Sequence, residues 1–152
     1  MKTTTSRDGT HIAYDELGEG PPVVLVGGAF NTRKFGANGG LAPLLAERFT
    51  VINYDRRGRG DSTDTTPYSV QREIEDLEAL IEEAGGSAHV FGISSGAALA
   101  LEAANSGLAI EKLALYEAPF IVDDTRAPVP DDYLQRLKGM VASDRRNDAI
   151  RL

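Results

Sequence analysis

Five consecutive residues near the middle of the chain, Gly92-Ile93-Ser94-Ser95-Gly96, have the types and spacing that nucleophilic chemistry requires. A serine between two glycines can stand exposed on a tight turn, because glycine leaves space where a larger side chain would crowd the backbone. A hydroxyl placed in this way can attack a carbonyl carbon and form an acyl-serine. The N–H of Ser95 would lie at a helix N-terminus, where it can bind a developing oxyanion. The motif therefore predicts a nucleophile at Ser94.

The segments on either side of this motif predict the elements that must position the serine. Residues 88–93 form a short apolar run, which is typical of a buried strand. The residues after Ser95 are rich in Ala and Leu, which lose little free energy on entering a helix. A G-x-S-x-G motif often occurs by chance, but a strand before it and a helix after it make the prediction of a nucleophile specific.

Size and composition are those of one soluble globular domain: 152 residues, 41% hydrophobic and 26% charged. No apolar run approaches the ~20 residues of a transmembrane helix, and the N-terminus lacks the apolar stretch of a secretory signal. The absence of cysteine excludes disulfides and fits a cytoplasmic location. A net charge of −7 argues against nucleic acid or an anionic membrane as partner. The basic runs Arg56-Arg57-Gly58-Arg59 and Arg145-Arg146 are interpreted either as solvated surface or as ion-paired side chains.

Strand and helix patterns alternate along the chain, which predicts an α/β protein with a mainly parallel sheet. Strands are expected in a hairpin over residues 2–17 and at 23–26, 49–54, 88–93 and 112–116. Helices are expected at 42–48, from the cap Ser69 to Gly85, after Ser94, at 131–140 and from Ser143. Ligands of such sheets bind at the carboxyl ends of the strands. Gly28-Ala29, Asp55, Ser94 and Glu117 all fall at those ends.

Three motifs follow one another between residues 10 and 118. They are Val23-Val24-Leu25-Val26-Gly27-Gly28, the segment Tyr-Asp-Arg-Arg-Gly-Arg-Gly-Asp-Ser at 54–62, and the serine motif at 92–96. In this order and spacing they resemble the α/β-hydrolase fold family, especially its bacterial esterase, lactonase and haloperoxidase-like members. The resemblance implies a three-layer, mainly parallel sheet flanked by helices, with strand order 1-2-4-3-5-6-7-8 and strand two antiparallel. About six of these strands are expected in this chain, which makes it the N-terminal portion of the fold.

The same resemblance implies the roles of the site residues. Ser94 is the nucleophile, Gly92 and Gly96 form its elbow, and the backbone N–H groups of Ala29 and Ser95 form the oxyanion hole. The family often has His-Gly where this chain has Gly27-Gly28; the change is tolerable because the hole uses backbone groups. No cofactor and no metal are implied, and the expected partner is a small acyl or lactone substrate.

The family places its catalytic acid after strand seven and its histidine after strand eight, and neither position is expected here. His89 begins the strand that ends at Ser94, about 16 Å away at ~3.3 Å per residue. His11 would lie three strands from that strand, about 14 Å at ~4.8 Å each. A general base must be within about 3 Å, so neither histidine qualifies. Glu117, at the end of the last strand, is a candidate for the acid or, alternatively, an edge carboxylate paired with an arginine.

These observations predict an N-terminal part of an α/β-hydrolase core at residues 1–120 and the start of a cap segment at 121–152. The first interpretation is a serine hydrolase acting on a small carboxylic ester or lactone, with its base and acid missing from this chain. The chain alone is then expected to have little esterase activity. The alternatives are a catalytically silent small-molecule binding module and one half of a two-chain enzyme. The segment 113–116 lacks the charges that protect sheet edges, which predicts self-association or pairing with a missing C-terminal half.

Overall fold

A computed structural model describes residues 1–125 and 127–152 of the protein. They divide into two compact units, Met1–Pro119 and Phe120–Leu152. The strands of the first unit are β1 (Lys2–Thr5), β2 (His11–Leu17), β3 (Pro22–Val26), β4 (Thr50–Tyr54), β5 (Ala88–Ile93) and β6 (Ile110–Tyr116). Its helices are α1 (Ala37–Leu45), α2 (Val70–Glu83) and α3 (Ser95–Asn105).

The six strands form one sheet in the order β1-β2-β4-β3-β5-β6. Strand β2 is antiparallel to both of its neighbours, β1 and β4, whereas β4, β3, β5 and β6 run parallel to one another. The predicted fold class is confirmed, because a mainly parallel sheet flanked by helices is present. The order of the six strands is also the one that the family resemblance implies.

The core of this unit lies on both faces of the sheet. Val24 and Val26 of β3 point to one face, where they join the buried residues of α2 and α3. Val23 and Leu25 point to the other face and pack with Ala42 of α1. Successive residues of a strand face opposite sides, so a continuous apolar run fits a strand that is covered on both.

Helix α2 begins and ends where its sequence predicts. The hydroxyl oxygen of Ser69 accepts a hydrogen bond from the N–H of Arg72 at 3.3 Å, which satisfies one of the free donors of the first turn. The apolar residues Ile74, Leu77 and Ile81 are buried against the sheet, as their helical spacing predicts.

Helix α1 covers residues 37–45 rather than the predicted 42–48. Its first turns contain Asn38, Gly39 and Gly40, residues that usually indicate a loop. The side chain of Asn38 is buried, and its Nδ2 donates a hydrogen bond to the carbonyl oxygen of Leu25 at 3.2 Å. This contact holds the start of the helix against β3 and overrides the low helix propensity of the two glycines.

The second unit contains helices α4 (Tyr133–Ala142) and α5 (Arg146–Arg151). They are displaced by two or three residues from the helices predicted at 131–140 and from Ser143. Arg145 and Arg146 form exposed ion pairs with Asp148 and Asp144, as expected for a surface run. The assignment of this unit to a cap stays a prediction. Within the described ranges, no helix combines the length and the apolar character needed to cross a membrane.

Strand β6 is the last strand of the sheet, and we expect it to pair with another copy of the chain. Leu115 and Tyr116 of this strand are 40% and 57% exposed. Charged side chains on a sheet edge oppose pairing, and neither of these two residues is charged. Light scattering after size exclusion should therefore show self-association that Leu115→Lys reduces. Val70→Lys, at a 47% exposed apolar position on α2, is the control and should leave association unchanged. A wild-type chain that is monomeric at all concentrations would contradict the prediction.

Candidate active site

Ser94 lies where strand β5 turns directly into helix α3. The strand ends at Ile93 and the helix begins at Ser95, so a single residue makes the turn. The backbone of Ser94 has φ 55° and ψ −124°, a left-handed φ that residues other than glycine rarely adopt. Such strain persists only where the surrounding structure imposes it, and it is frequent at functional sites. The predicted strand–turn–helix context of the motif is therefore present.

Gly92 and Gly96 allow this turn to pack against its neighbours. A Cβ atom on Gly96 would overlap the carbonyl oxygen of Val26 and would lie 2.6 Å from that of Gly27. A Cβ atom on Gly92 would lie 2.6 Å from the carbonyl oxygen of Gly96. These distances are too short for any side chain, so the close approach of β5, α3 and the end of β3 requires glycine at both positions.

The loop after β3 lies against the side chain of Ser94. A Cβ atom on Gly28 would be 3.1 Å from Cβ of Ser94 and 3.7 Å from its Oγ. The parallel pairing of β3 with β5, in which Val26 is opposite Gly92, brings the two strand ends together. Ala29, the predicted second donor of the oxyanion hole, is thus the residue directly after the one that contacts Ser94. We call residues 27–33 the oxyanion loop, after the role that is predicted for Ala29.

A buried guanidinium, that of Arg56, connects the oxyanion loop to the start of α3. Its Nη1 donates hydrogen bonds to the carbonyl oxygen of Gly27 and to Oγ of Ser95, both at 3.2 Å. Its Nε and Nη2 donate to the two carboxylate oxygens of Glu73, at 2.5 and 2.6 Å. A bidentate pair of this kind fixes the plane of the guanidinium. Arg56 therefore holds both predicted oxyanion-hole segments in one arrangement.

Arg59 orients the next peptide of the oxyanion loop. Its Nη1 donates a hydrogen bond to the carbonyl oxygen of Gly28 at 2.7 Å. Because a trans peptide is planar, the N–H of Ala29 must point away from that oxygen and hence away from Arg59. The same oxygen accepts a longer hydrogen bond from the N–H of Asn31, at 3.4 Å, so Arg59 and the turn of the loop together set the direction of the predicted oxyanion donor.

The far end of the oxyanion loop is anchored by Arg33 and Asp55, which are both buried. The backbone N–H of Arg33 donates to Oδ1 of Asp55 at 2.6 Å, and its Nε donates to Oδ2 at 3.0 Å. The guanidinium also pairs with Asp15 and Asp61, at 2.7 and 2.5 Å. Asp55, which the sequence placed at the ligand-binding edge, therefore holds the loop.

Ion pairing, one of the two interpretations of residues 56–59, is confirmed for Arg56 and Arg57, whereas solvated surface is wrong for them, because they are 6% and 5% exposed. Both are ion-paired, Arg56 with Glu73 and Arg57 with Asp76 and Asp8. A signal for this burial is present in the sequence. Glu73 and Asp76 lie three residues apart within the apolar stripe of α2, so the two carboxylates share the helix face that packs on the sheet.

Neither histidine of the chain lies near Ser94. His11 begins β2, which is separated from β5 by β4 and β3, and its Nδ1 is 3.3 Å from Oγ1 of Thr5. His89 is at the opposite end of β5, with its ring packed edge-on against Phe49 at 6.2 Å between centroids. The prediction that neither histidine can act as the base of Ser94 agrees with these positions.

Glu117 directly follows strand β6, whose last residue, Tyr116, is hydrogen-bonded to the backbone of Ser94. The N–H of Ser94 donates to the carbonyl oxygen of Tyr116 at 2.9 Å. The side chain of Glu117 is exposed, and its backbone has a φ of 52°. Among the residues that the structure describes, no arginine pairs with Glu117, so the predicted ion pair is not found there.

Comparison with known proteins identifies the class of protein. Residues 15–151 match the Alpha/beta hydrolase family, and the chain therefore belongs to this family. An alpha/beta hydrolase of known structure from Sphaerobacter thermophilus DSM 20745 is 60% identical with a TM-score of 0.91, over 98% of this chain and 57% of that chain. The esterase EaEST from Exiguobacterium antarcticum is 25% identical with a TM-score of 0.75, over 95% of this chain and 56% of that chain.

A curated relative, the uncharacterized hydrolase YraK of Bacillus subtilis, is 36% identical over 99 residues. The match covers 62% of this chain and 35% of YraK. The chain thus spans little more than half the length of these two solved relatives, and its match covers about a third of YraK.

We expect Gly96→Val and Gly92→Val to lower the free energy of unfolding by about 3 kcal/mol, because each side chain would meet backbone atoms. Ser94→Ala keeps the backbone and should change that free energy by less than ~0.5 kcal/mol. Urea unfolding followed by circular dichroism measures these effects. Gly40→Val is the matched control, since a Cβ atom there meets no neighbour within 4 Å. If Ser94→Ala were the most damaging substitution, the turn would not be an elbow.

The pair of Arg56 and Glu73 predicts a pH-dependent part of the stability. Burial raises the pKa of the Glu73 carboxyl, but the hydrogen bonds from Arg56 outweigh burial, and the net pKa is lowered. The stabilisation is therefore present above the ordinary pKa of glutamate and is lost as the pH falls through the lowered value. We expect Glu73→Gln to cost about 3 kcal/mol at pH 7 and less at pH 3.5.

Urea unfolding at pH 7, 5 and 3.5 checks this expectation. Glu78→Gln is the control, because its ion pair with Arg7 is solvent-exposed and should contribute less than ~1 kcal/mol at any of these pH values. An effect of Glu73→Gln that is as large at pH 3.5 as at pH 7 would show that the charge of Glu73 is not what stabilises the fold.

Proposed function

We propose that this chain carries the nucleophile and the oxyanion hole of a serine hydrolase that acts on a small carboxylic ester or lactone. The observation that supports it most is the strained turn at Ser94, with the backbone of Gly28 packed against the serine side chain. The similarity to the esterase EaEST supports the ester class of substrate.

In this proposal, Oγ of Ser94 attacks the carbonyl carbon of the substrate. The electron pair of the carbonyl moves onto its oxygen, which accepts hydrogen bonds from the N–H groups of Ala29 and Ser95. The N–H of Ser95 is suited to this role because the first N–H groups of a helix have no acceptor within the helix. Collapse of the tetrahedral intermediate expels the alcohol, and water then hydrolyses the acyl-serine by the same steps.

The proton of the Ser94 hydroxyl needs a base, and neither His11 nor His89 is placed to accept it. The proposal therefore assigns this role to a histidine outside the six-stranded core, as the family pattern implies. Glu117 is our candidate for the acid that orients this histidine, because it directly follows the residue whose carbonyl oxygen binds the N–H of Ser94. In the serine hydrolase subtilisin, loss of the histidine costs on the order of 10⁶ in kcat, so we expect little hydrolysis by the chain alone.

The positions of the two histidines also favour a second candidate, a catalytically silent module that binds a small acyl ligand. The two candidates differ in whether the Ser94 hydroxyl can be acylated once a base is available. A hydrolase site becomes reactive under that condition, whereas a silent module does not.

Imidazole added in solution can act as the base, so we expect it to allow acetylation of Ser94 by p-nitrophenyl acetate. The readout is the fraction of the Ser94 peptide that carries an acetyl group, measured by tandem mass spectrometry. We expect that fraction to rise with imidazole concentration at Ser94 and not at the adjacent Ser95.

Two controls separate this reaction from general acetylation of the surface. Ser94→Ala should remove the labelled peptide, and wild-type protein unfolded in urea should label Ser94 no faster than Ser95. Equal labelling of the two serines in the folded protein would refute the proposed hydrolase and favour the silent module.

A further inference from the structure

Arg59 differs from the other arginines around the oxyanion loop in its lack of a carboxylate partner within the described part of the chain. Arg33 pairs with Asp15, Asp55 and Asp61, Arg56 with Glu73, and Arg57 with Asp8 and Asp76. The guanidinium of Arg59 makes one hydrogen bond there, from Nη1 to the carbonyl oxygen of Gly28. Its Nε and Nη2 edge has no acceptor among the same residues.

Arg59 is one of the residues that line a cavity beside the oxyanion loop. The cavity has a volume of about 350 Å³, which is large enough for a small organic ligand. Its lining is formed by Ala29, Phe30, Asn31, Thr32, Arg59 and Gly60. The lining thus includes Ala29, the predicted oxyanion donor, but not Ser94 itself.

The cavity carries a positive charge that the surrounding carboxylates do not neutralise. Burial lowers the pKa of Arg59, and the nearby guanidinium of Arg56 lowers it further. Glu73 opposes this effect, but both of its carboxylate oxygens are bonded to Arg56. The nearest acidic side chain along the motif, Asp61, is paired with Arg33 and Lys34. Arg59 nevertheless stays protonated at neutral pH, as arginine does in proteins.

We propose that this cavity binds a carboxylate of the substrate, and hence that the preferred substrate is an ester or lactone that also carries a carboxylate. The Nε and Nη2 edge of a guanidinium matches the two oxygens of a carboxylate, and Nη1 remains on Gly28 and fixes its plane. This inference rests on the proposed function, because it assigns the bound carboxylate to the molecule that Ser94 attacks.

Matched half-esters and diesters test the preference. Monomethyl succinate, glutarate and adipate each carry one ester and one carboxylate, and the dimethyl esters are their neutral counterparts. Binding is measured by calorimetry in the Ser94→Ala variant, which lacks the nucleophile and cannot turn the ligands over. We expect at least one half-ester to bind roughly tenfold more tightly than its diester, and this ratio to fall as salt screens the charge.

Substitutions at Arg59 decide whether this side chain is the cause. Arg59→Gln should reduce the ratio to about one. Arg59→Lys should retain part of it, because lysine keeps the positive charge but lacks the two parallel N–H donors of the guanidinium. Lys34 directly follows the oxyanion loop and does not line the cavity, so Lys34→Gln removes a nearby positive charge and should leave the ratio unchanged. Urea unfolding of each variant verifies that the fold is intact.

Equal affinity for every half-ester and diester pair would overturn the proposal, and so would a preference that survives in Arg59→Gln. The outcome is separable from that of the proposed function, because binding to Ser94→Ala involves no acyl transfer. Labelling of Ser94 without a carboxylate preference refutes only the substrate class. A preference without labelling of Ser94 refutes the hydrolase and, with it, the assignment of the carboxylate to a substrate.

Discussion

The close approach of three backbone segments at Gly96 is the constraint on which the candidate site depends. At this position the first turn of α3 touches the carbonyl groups that end β3, and no side chain fits between them. The contact sets the distance between the serine on the turn and the loop that follows β3. The register of β3 on β5 determines which residues meet, because Val26 lies opposite Gly92. Strand pairing in the core thus decides which backbone N–H groups can face the serine.

Buried arginines then fix the orientation of the peptides in the oxyanion loop, which lies close to Ser94. The oxyanion loop has no regular secondary structure over residues 27–33, and its internal backbone hydrogen bond, from the N–H of Asn31 to the carbonyl oxygen of Gly28, is long at 3.4 Å, so its peptides depend on partners outside it. Arg56 and Arg59 bind two successive carbonyl oxygens of the loop, and Arg33 fixes its far end to Asp55. Buried ion pairs of this kind often add little net stability, because desolvation offsets much of the attraction. Their contribution here is the orientation of the peptides, which apolar side chains of equal volume would not provide.

The sequence predicted those parts of the fold that depend on local pattern. The apolar runs of β3 and β5, the capped helix α2 and the turn at Ser94 were all expected from neighbouring residues. Helix α1 was misplaced because its start depends on the contact of Asn38 with Leu25, which no local pattern reveals. The burial of Arg56 and Arg57 was missed although the two carboxylates in the apolar stripe of α2 signal it. A basic run is usually solvated, and here its partners lie 17 and 19 residues further on.

The roles of the arginines in one short motif follow from how completely each is neutralised. Arg56 and Arg57 meet carboxylates of α2 within the protein, so their charges are satisfied before any ligand arrives. Arg59 lies two residues further along and is half-buried; its Nη1 binds the loop, and the residue lines the cavity. If Arg59 only held the peptide of Gly28 in place, its hydrogen bond to that carbonyl oxygen would be enough, and a neutral donor such as glutamine can also make this bond. A guanidinium at a desolvated position, next to a second one, is disfavoured unless an anion offsets its charge. The electrostatics of the motif therefore connect the arrangement of the oxyanion loop to the carboxylate that we propose as its ligand.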